Sequence, residues 1–595
     1  MNHSRVLSAA VFVLLLAPSL QAADLDEITT IARSGATGLA LELMERHQPD
    51  PETDPAAWMQ WERERLFFHR SRGEWDVVVT RVQDLPDGIH PGFAHWAGHQ
   101  KARALLEMGE QSEARRVLAQ LIWADEPVDA GELEEWRRMI VESYLEGGDP
   151  EAGRSALRRL RQDYTDEDDS TRLLEARLYL LEERGAEALE VLATLPEEEH
   201  RAQRLLAQLQ ADPDQAGEVL TTAIQLGFDS DAATHERREA WAVAVRAAEE
   251  SGNRTARVAT LERALSFGPP EGRERDPLLQ IDSEELWEAY QELGRALGNE
   301  AQILVGDGEA WRETASDAEM GEPVHARAMY AVMTGSEFAA DVREEAHGRL
   351  AGSLAGEAYG EAVLRSLYLD AARYLEPRTI PEPVRYRLAD IVLDEGAIRL
   401  ASDLMEGLDE PPGDEAAEDW QLRRGRVLIL GGARAKGLEA LEEVLAESED
   451  LEVSRFLQVV FDLQDMGDHE PALEFLEELE RFDPEPEQQR EILFWRAESV
   501  EALGDPVEAA RLYLRSAGHI DPFSMDQWAQ TARYRAADAL AEAGQTEDAR
   551  VLYQRLLNAT DDEARQAVLR NRIERLERRP LEAGEFEEEG ENGPQ

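Results

Sequence analysis

The stretch FLQVVFDLQDMGDHEPALEFLEELERFDP (residues 456–484) indicates how the rest of the sequence folds. Its apolar residues follow the period of two helices, one on each side of Gly467: Phe456, Val459, Val460 and Leu463, then Ala472, Leu476 and Leu479. Pro484 closes the unit. A helical pair this short cannot bury its own apolar face, so it needs similar pairs stacked on both sides. The stretch therefore predicts a solenoid of helical hairpins.

Similar units recur along most of the chain with a period of roughly 35 to 40 residues, which is typical of helical repeats. The clearest copies cover residues 25–50, 58–86, 96–127, 140–160, 174–192, 241–269, 388–408, 425–444, 497–513 and 537–556. The pair at 174–192 is compressed around Gly185, which we expect to form its turn. Seven positions of the 241–269 unit fall at the same offsets as in 456–484: Trp241, Ala244, Val245, Ala248, Leu261, Ala264 and Pro269.

These units resemble tetratricopeptide repeats, whose 34-residue pattern places a bulky residue, small residues, an aromatic residue and a proline at fixed offsets. Some positions depart from that pattern: Val460 and Leu479 replace small residues, and Arg257 stands where alanine is expected. Closely related α-solenoid repeats remain an alternative. The resemblance implies an all-α fold, a right-handed superhelical solenoid of helix–turn–helix repeats.

The order of segments along the chain suggests five parts. Residues 1–22 predict a secretory signal peptide, because Arg5 precedes a short apolar core and small Ala22 offers a cleavage point. An uncleaved membrane anchor is the alternative, although the core is shorter than the roughly 20 residues that span a bilayer. We expect repeats at 24–270, irregular helices at 271–380, repeats with a capping helix at 381–579, and a disordered acidic tail at 580–595.

Composition excludes several classes of function. The 595 residues contain no cysteine, so disulfides, thiolate catalysis and cysteine-ligated metals are impossible. The net charge of −62 disfavours nucleic acid and anionic lipid as partners, since both would be repelled. All but Lys101 and Lys436 of the 63 basic residues are arginine, which we interpret as a compositional bias.

Motifs that carry chemistry are scarce. Neither lysine lies in a phosphate-binding loop, and Gly306-Asp307-Gly308 lacks the third glycine of a dinucleotide site. The acidic run at 163–169 lacks the glycine and glutamate spacing of an EF-hand, which leaves loose surface binding of cations as a possibility. The sequence therefore predicts no catalytic residue, no cofactor site and no metal site.

Histidine and tryptophan provide the remaining candidates. His95 and His99 share a helix face and His90 lies nearby, which is a metal-ligand spacing, but no third ligand is evident. We expect these histidines to be structural. Five tryptophans lie on the apolar stripes of first helices, and we expect them in the core rather than in a binding site: Trp58, Trp61, Trp136, Trp241 and Trp287.

These observations favour a non-enzymatic protein-binding scaffold whose first helices line a concave groove for partner segments. Exported repeat proteins of this kind are similar to scaffolds of bacterial envelope assembly, which implies a periplasmic location and envelope proteins as partners. Two alternatives remain, a superhelical peptidoglycan enzyme and a periplasmic chaperone for cationic peptides.

Overall fold

The computed structural model describes residues 25–124, 130–164, 168–268, 277–413, 415–449 and 451–585. The predicted signal peptide at 1–22 lies outside the described residues, as do residues 586–595 of the predicted tail. The described chain is built from α-helices and short connections, and no strand occurs within it. No helix in this part of the chain is long and apolar enough to cross a membrane.

In the described residues up to 297, fifteen helices precede the predicted irregular segment or begin it. They are α1 Leu25–Arg33, α2 Thr37–His47, α3 Pro55–Ser71, α4 Trp75–Gln83, α5 Pro91–Glu107, α6 Gln111–Ile122, α7 Ala130–Glu146, α8 Pro150–Asp163, α9 Asp169–Leu181, α10 Gly185–Leu192, α11 Arg201–Ala211, α12 Ala216–Phe228, α13 Thr234–Glu250, α14 Arg254–Leu265 and α15 Ser283–Leu297.

The segment that follows holds helices of unequal length. They are α16 Glu300–Leu304, α17 Gly308–Glu319, α18 Pro323–Met333, α19 Ala340–Ala355 and α20 Gly360–Tyr368. Regular hairpins then return as α21 Glu382–Asp394, α22 Ile398–Met405, α23 Ala417–Leu430, α24 Arg434–Glu447, α25 Val453–Asp465, α26 His469–Glu478, α27 Pro486–Ala502, α28 Pro506–Gly518, α29 Gln527–Glu542, α30 Thr546–Ala559 and α31 Glu563–Glu585.

The end of α31 differs from the sequence prediction. Residues 580–585 were expected to belong to a disordered tail, but they continue the helix to Glu585. Pro580 therefore lies inside α31 and does not end it.

The described chain separates into two compact units. The first comprises residues up to 301 together with 310–332 and 357–367, and the second comprises 302–309, 333–356 and the residues from 368 onward. All five boundaries between the units fall within residues 271–380, the segment that lacks the repeat period.

Packing inside each unit follows one rule. The two helices of a hairpin contact each other, and the first helix of a hairpin also contacts the first helix of the next one, as in α7–α9–α11–α13 of the first unit and α23–α25–α27 of the second. This is the arrangement of stacked helical hairpins, and it confirms the all-α repeat fold.

The hairpin at residues 456–484 shows why these residues fold this way. Helices α25 and α26 bury the two predicted apolar stripes, and Phe456 packs edge-to-face on Phe475 with ring centroids 5.5 Å apart. Gly467 has φ +80°, a left-handed conformation that a glycine adopts without strain. Each buried side chain of this size contributes about 1.5–3 kcal/mol relative to exposure.

Two local predictions in the first unit need correction. The hairpin of α11 and α12 was not recognised, because a short 3-10 turn at Pro213–Gln215 replaces the glycine turn. Gly185 does not form the turn between α9 and α10, since Glu183 takes the left-handed conformation with φ 58°. A Cβ at Gly185 would lie 2.4 Å from the carbonyl oxygen of Ala207, so glycine is needed there for close helix packing.

Candidate functional site

The last repeats of the second unit bring partly exposed side chains from consecutive first helices into contact. We call this surface, formed by α25, α27, α29 and α31, the first-helix surface. Side-chain contacts join each of these helices to the next, through Phe461 and Trp495, then Glu498 and Arg535, then Tyr534 and Arg572. The core of the repeats lies beneath it, so these residues occupy positions that the repeat pattern leaves free.

An aromatic pair lies at the α25–α27 end of the surface. The rings of Phe461 and Trp495 have centroids 4.6 Å apart and an interplanar angle of 54°, and both are partly exposed. The Gln464 side chain donates to the carbonyl oxygen of Trp495 and to Ser499 Oγ, each at 2.8 Å. Glu491 Oε1 accepts a long hydrogen bond of 3.5 Å from Trp495 Nε1. The indole edge of Trp495 therefore lies next to a carboxylate.

Carboxylates continue along α27. One oxygen each of Glu498 and Glu501 lies 3.3 Å from Arg535 Nη2, and Tyr513 Oη donates to Glu501 at 2.8 Å. Burial raises the pKa of Glu498, the charge of Arg535 opposes this, and nearby Glu501 and Asp465 add to it. Negative charge is thus concentrated here, and one arginine neutralises only part of it.

A polar contact crosses from α29 to α31. Arg572 Nε donates to Tyr534 Oη at 3.2 Å and lies 3.5 Å from Asp538 Oδ1. Tyr553 Oη, from α30, donates to the same Asp538 oxygen. Burial, together with the hydrogen bond to Asp538, raises the pKa of Tyr553, so its phenol remains protonated and keeps donating.

Two cavities lie along the seam between α29 and α31. The first, of about 370 Å³, is mainly apolar, and its lining includes Tyr534, Leu556, Val568 and Leu569. Four polar residues also line it: Gln530, Thr531, Thr560 and Arg565. The second, of about 540 Å³, is lined by charged side chains that include Asp538, Glu542, Arg572 and Arg575. The seam therefore offers space for an apolar side chain next to a charged groove.

A larger cavity of about 880 Å³ lies among α6, α7 and α8 of the first unit. Arg115 stacks 4.2 Å from the ring centroid of Tyr144, and Arg137 forms a 2.7 Å ion pair with Asp163. Trp123 borders this cavity and is 81% exposed. Its lining comes from two adjacent hairpins only, whereas the first-helix surface spans four successive first helices, which makes this cavity a weaker candidate.

The predicted metal candidates have structural roles. The rings of His95 and His99 lie 6.5 and 6.2 Å from the ring of Trp136, both edge-on, and His99 Nε2 is 3.5 Å from Glu135. His90 caps α5 by accepting from the backbone N–H of Gly92. Among the residues that the structure describes, no group of three or more His, Cys, Asp or Glu side chains could hold a metal ion.

The tryptophans of the first-helix stripes are buried, which confirms their interpretation as core. Trp136 and Trp287 are among the largest fully buried side chains of the protein, and Trp241 packs edge-on against Phe228. Trp58 and Trp61 are also buried. They are therefore not accessible to a partner.

The remaining sequence candidates lie in turns. Gly306 has φ +66° in the turn between α16 and α17, and Gly308 begins α17. Residues 165–167 of the acidic run lie outside the described residues, but Asp168 caps α9. Partial burial would raise the pKa of Asp168, but hydrogen bonds from Thr171 and Ser170 and the charge of Arg138 outweigh it and lower the pKa to about 2.

A hydroxyl, an imidazole and a carboxylate align where α14 and α18 begin. Thr255 Oγ1 lies 3.0 Å from His325 Nε2, and His325 Nδ1 lies 2.5 Å from Glu322. Hydrolases use this order of groups, but Thr255 is exposed and lines none of the cavities described above. The contact joins the beginnings of α14 and α18 within the first unit.

The residues of the first-helix surface were missed by sequence reasoning. A signal for them was present: Phe461 and Trp495 are both aromatic and stand one repeat period apart in corresponding first helices. Such a pair marks a position that faces the same surface in successive repeats, independently of the core pattern.

Comparison with known proteins gives one match at the sequence level, between residues 531–559 and the tetratricopeptide repeat family. That segment contains most of α29 and all of α30. No curated protein matches the chain.

Several solved structures are similar at low identity. The APC/C hetero-tetramer Cut9–Hcn1 is 10% identical, with 92% of this chain and 95% of that chain covered and a TM-score of 0.27. The pentatricopeptide repeat protein PPR10 from maize is 13% identical over 92% and 89%, with a TM-score of 0.27. Yeast Tom70 is 11% identical over 84% and 100%, with a TM-score of 0.22. Scores of this size do not establish a shared overall arrangement.

Proposed function

We propose that this protein is a non-catalytic scaffold that binds segments of partner proteins on the first-helix surface. The observation that carries the proposal is the continuity of that surface. Side chains from four consecutive first helices touch one another, remain partly exposed, and combine aromatic rings, carboxylates and a mainly apolar cavity. Aromatic and apolar anchors surrounded by polar groups are the usual composition of a protein-binding site.

The proposed location and partners rest on the signal peptide that the sequence predicts. We propose that residues 1–22 direct export, that the protein works in the periplasm, and that its partners belong to the bacterial cell envelope. The mature N-terminus tests the first step. Intact-mass measurement of the protein from its native host is expected to show loss of residues 1–22, and a retained leader would contradict export by a cleaved signal.

Partner capture tests the function itself. The purified protein and a variant of the surface, Trp495→Ala with Glu498→Arg, are used to capture proteins from envelope extracts at high salt, which suppresses bulk charge attraction. A control variant, Glu470→Ala with Glu474→Arg, changes the second helix α26 instead. We expect the wild type and the control to retain a specific protein that the surface variant loses. Equal retention by all three would contradict binding at this surface.

The enzymatic alternative has its own test. A peptidoglycan enzyme would clear a gel that contains peptidoglycan, whereas a scaffold leaves it intact. Thr255, His325 and Glu322 contact one another in the order that hydrolases use. The same preparation is therefore also assayed for ester hydrolysis with a chromogenic acetate ester. Turnover that Thr255→Val abolishes would overturn the non-catalytic proposal.

A further inference from the structure

We infer that the first-helix surface recognises an extended polypeptide segment in which a lysine or arginine lies four or five residues from a bulky apolar residue. The inference rests on the proposed function, because it specifies the chemistry of the segment that the scaffold would bind. Two separate places on the surface carry it, one for each of these side chains.

The cation is assigned to the α25–α27 end. Here the partly exposed rings of Phe461 and Trp495 pack together and Glu491 lies at the indole nitrogen of Trp495. A cation over an aromatic face is attracted by the ring quadrupole. Glu498 lies one turn beyond Trp495 on α27, and Arg535 neutralises it only in part. A lysine or arginine side chain would lie against the rings with its charge near these carboxylates.

The apolar residue is assigned to the seam between α29 and α31. The cavity there has about 370 Å³ and is lined largely by the side chains of Leu556, Val568 and Leu569 and the ring of Tyr534. Val568 is 51% exposed, so the apolar wall is open to solvent. Filling such a space with a leucine- or phenylalanine-sized side chain removes apolar surface from water on both partners.

The spacing follows from helix packing. The carboxylates that would attract the cation, Glu491 and Glu498, both belong to α27, so the span is measured from that helix. Neighbouring packed helices lie roughly 8–10 Å apart, which puts the α29–α31 seam about 12–15 Å from α27 across the helices. An extended chain advances about 3.3 Å per residue, which gives roughly four to five residues between the two side chains. A helical segment would need about twice as many residues.

The net charge of the protein favours a basic partner segment over an acidic one. The protein carries a net charge of −62, so a basic segment is attracted from a distance and an acidic one is repelled. The repeats also offer no strand edge in the part of the chain that the structure describes, so recognition must come from side chains rather than from a backbone ladder.

Selection from a library of random 12-residue peptides displayed on phage, with the full chain as bait, tests the pattern directly. We expect enrichment of peptides in which lysine or arginine precedes or follows leucine, isoleucine or phenylalanine by four or five positions. Enrichment of acidic peptides, of sequences without a fixed spacing, or of no sequence would overturn the inference.

Matched variants locate the two places with one selected peptide, measured by fluorescence anisotropy. Val568→Asp is expected to weaken binding at least tenfold, whereas Val551→Asp, a valine on α30 that is 42% exposed and lies outside the cavity, changes it less than twofold. Equal effects of the two variants would show that the apolar residue of the peptide does not bind in this cavity, which would overturn that part of the inference.

The cationic end is tested in the same way. Glu491→Gln with Glu498→Gln is expected to weaken binding at least fivefold, and to have no effect when the basic residue of the peptide is alanine. Glu470→Gln with Glu474→Gln on α26 is the control with the same loss of charge. If the control weakens binding equally, attraction is general rather than local.

The outcomes separate this inference from the proposed function. Partner capture that depends on Trp495 and Glu498, together with selected peptides that lack the basic–apolar spacing, would overturn the inference and leave the scaffold intact. Failure of both the capture and the selection would overturn both.

Discussion

Two regions of the molecule join their helices in opposite ways. In the regular repeats of the second unit, arginines pair with aspartates about one repeat away, as Arg434 does with Asp468 at 2.7 Å and Arg423 with Asp390 at 2.9 Å. These side chains are partly exposed, and each such pair contributes about 0–1 kcal/mol. Many weak contacts at a fixed spacing therefore supplement the apolar core.

Where the irregular region packs on the last regular hairpin of the first unit, buried polar contacts join the helices instead. In the first unit, Glu262 of α14 is fully buried and accepts from Arg327 Nε and Nη2 at 2.8 and 2.6 Å. Its oxygens also accept from Tyr290 Oη at 2.7 Å and from Tyr359 Oη at 2.9 Å. These partners are 28 to 97 residues away in sequence.

The difference shows what a repeat period provides. In the regular repeats of the second unit, each hairpin meets the same surface of its neighbour, and exposed pairs join the helices. Where the period is lost, the helices need a specific contact to fix their order, and a buried charge satisfied by four donors accepts few alternative arrangements. The following predictions test whether stability is concentrated in these contacts.

The largest effect is expected from Arg327→Met. It leaves the Glu262 carboxylate buried without its cation, which typically costs about 3–5 kcal/mol. Hydrogen exchange of peptides from α14 and α18 reports the local free energy, because a chain of two units need not unfold in one step. Glu262→Gln combined with Arg327→Met should recover most of the loss. If Arg327→Met alone lowers the local free energy of unfolding by less than about 1 kcal/mol, the Arg327–Glu262 pair contributes no more than a surface ion pair.

Acidification should weaken the second buried contact by a smaller amount. His347 Nδ1 lies 2.8 Å from Tyr368 Oη in the second unit, and burial, with the charges of Arg373 and Arg343, lowers the pKa of His347 from 6.5 to about 4. The unfolded chain therefore binds a proton that the folded chain does not. Stability is complete above pH 6.5 and falls by up to about 3 kcal/mol as the pH drops to 4.

The measurement is the exchange of α19 peptides as a function of pH, corrected for intrinsic exchange rates. His347→Gln is expected to flatten the loss between pH 6.5 and 4 in this helix. An unchanged slope in the variant would show that other groups cause it.

Tyr290→Phe is expected to have an intermediate to small effect. It removes one of the four hydrogen bonds to a buried carboxylate and leaves the ring packed against Trp287. A lost bond to a charged group of this kind costs about 1.5–3 kcal/mol. Exchange of α14 peptides measures it. No change in exchange would mean that the remaining donors compensate fully.

The smallest effect is expected from Arg434→Ala. The pair with Asp468 is exposed, with 52% and 26% of the two side chains accessible, so its loss should cost less than about 1 kcal/mol. Exchange of α24 and α26 peptides provides the measurement. A loss as large as that of Arg327→Met would break the comparison between the two regions.

The regular repeats could be predicted from the sequence because their core consists of apolar residues at helical spacing within each hairpin. Phe456, Val460 and Leu476 are apolar at helical spacing, and all are fully buried. Arg257, which departs from the repeat pattern, illustrates the limit: it takes the place of a small residue and forms a 2.8 Å pair with Glu292 of the next first helix. The excess of arginine over lysine, interpreted from composition alone, supplies such contacts between repeats.

The contacts of the irregular region and of the candidate site were less accessible to sequence reasoning. Nothing in a single sequence relates Glu262 to Arg327 or to Tyr359, since their separation follows no period. The cavity between α29 and α31 depends on how three helices pack, so its lining residues carry no motif. Only the aromatic pair was detectable in the sequence, because Phe461 and Trp495 stand one repeat period apart.

The buried carboxylate of Glu262 also sets an order of events as the chain emerges from its N-terminus onward. Its second phenolic donor, Tyr359, is 97 residues further along the chain. Helices α1 to α13 have all their neighbours within reach before Tyr359 emerges. The carboxylate on α14 must stay in water until α18 and Tyr359 have followed, so this junction is the last part of the first unit to become protected from proteases.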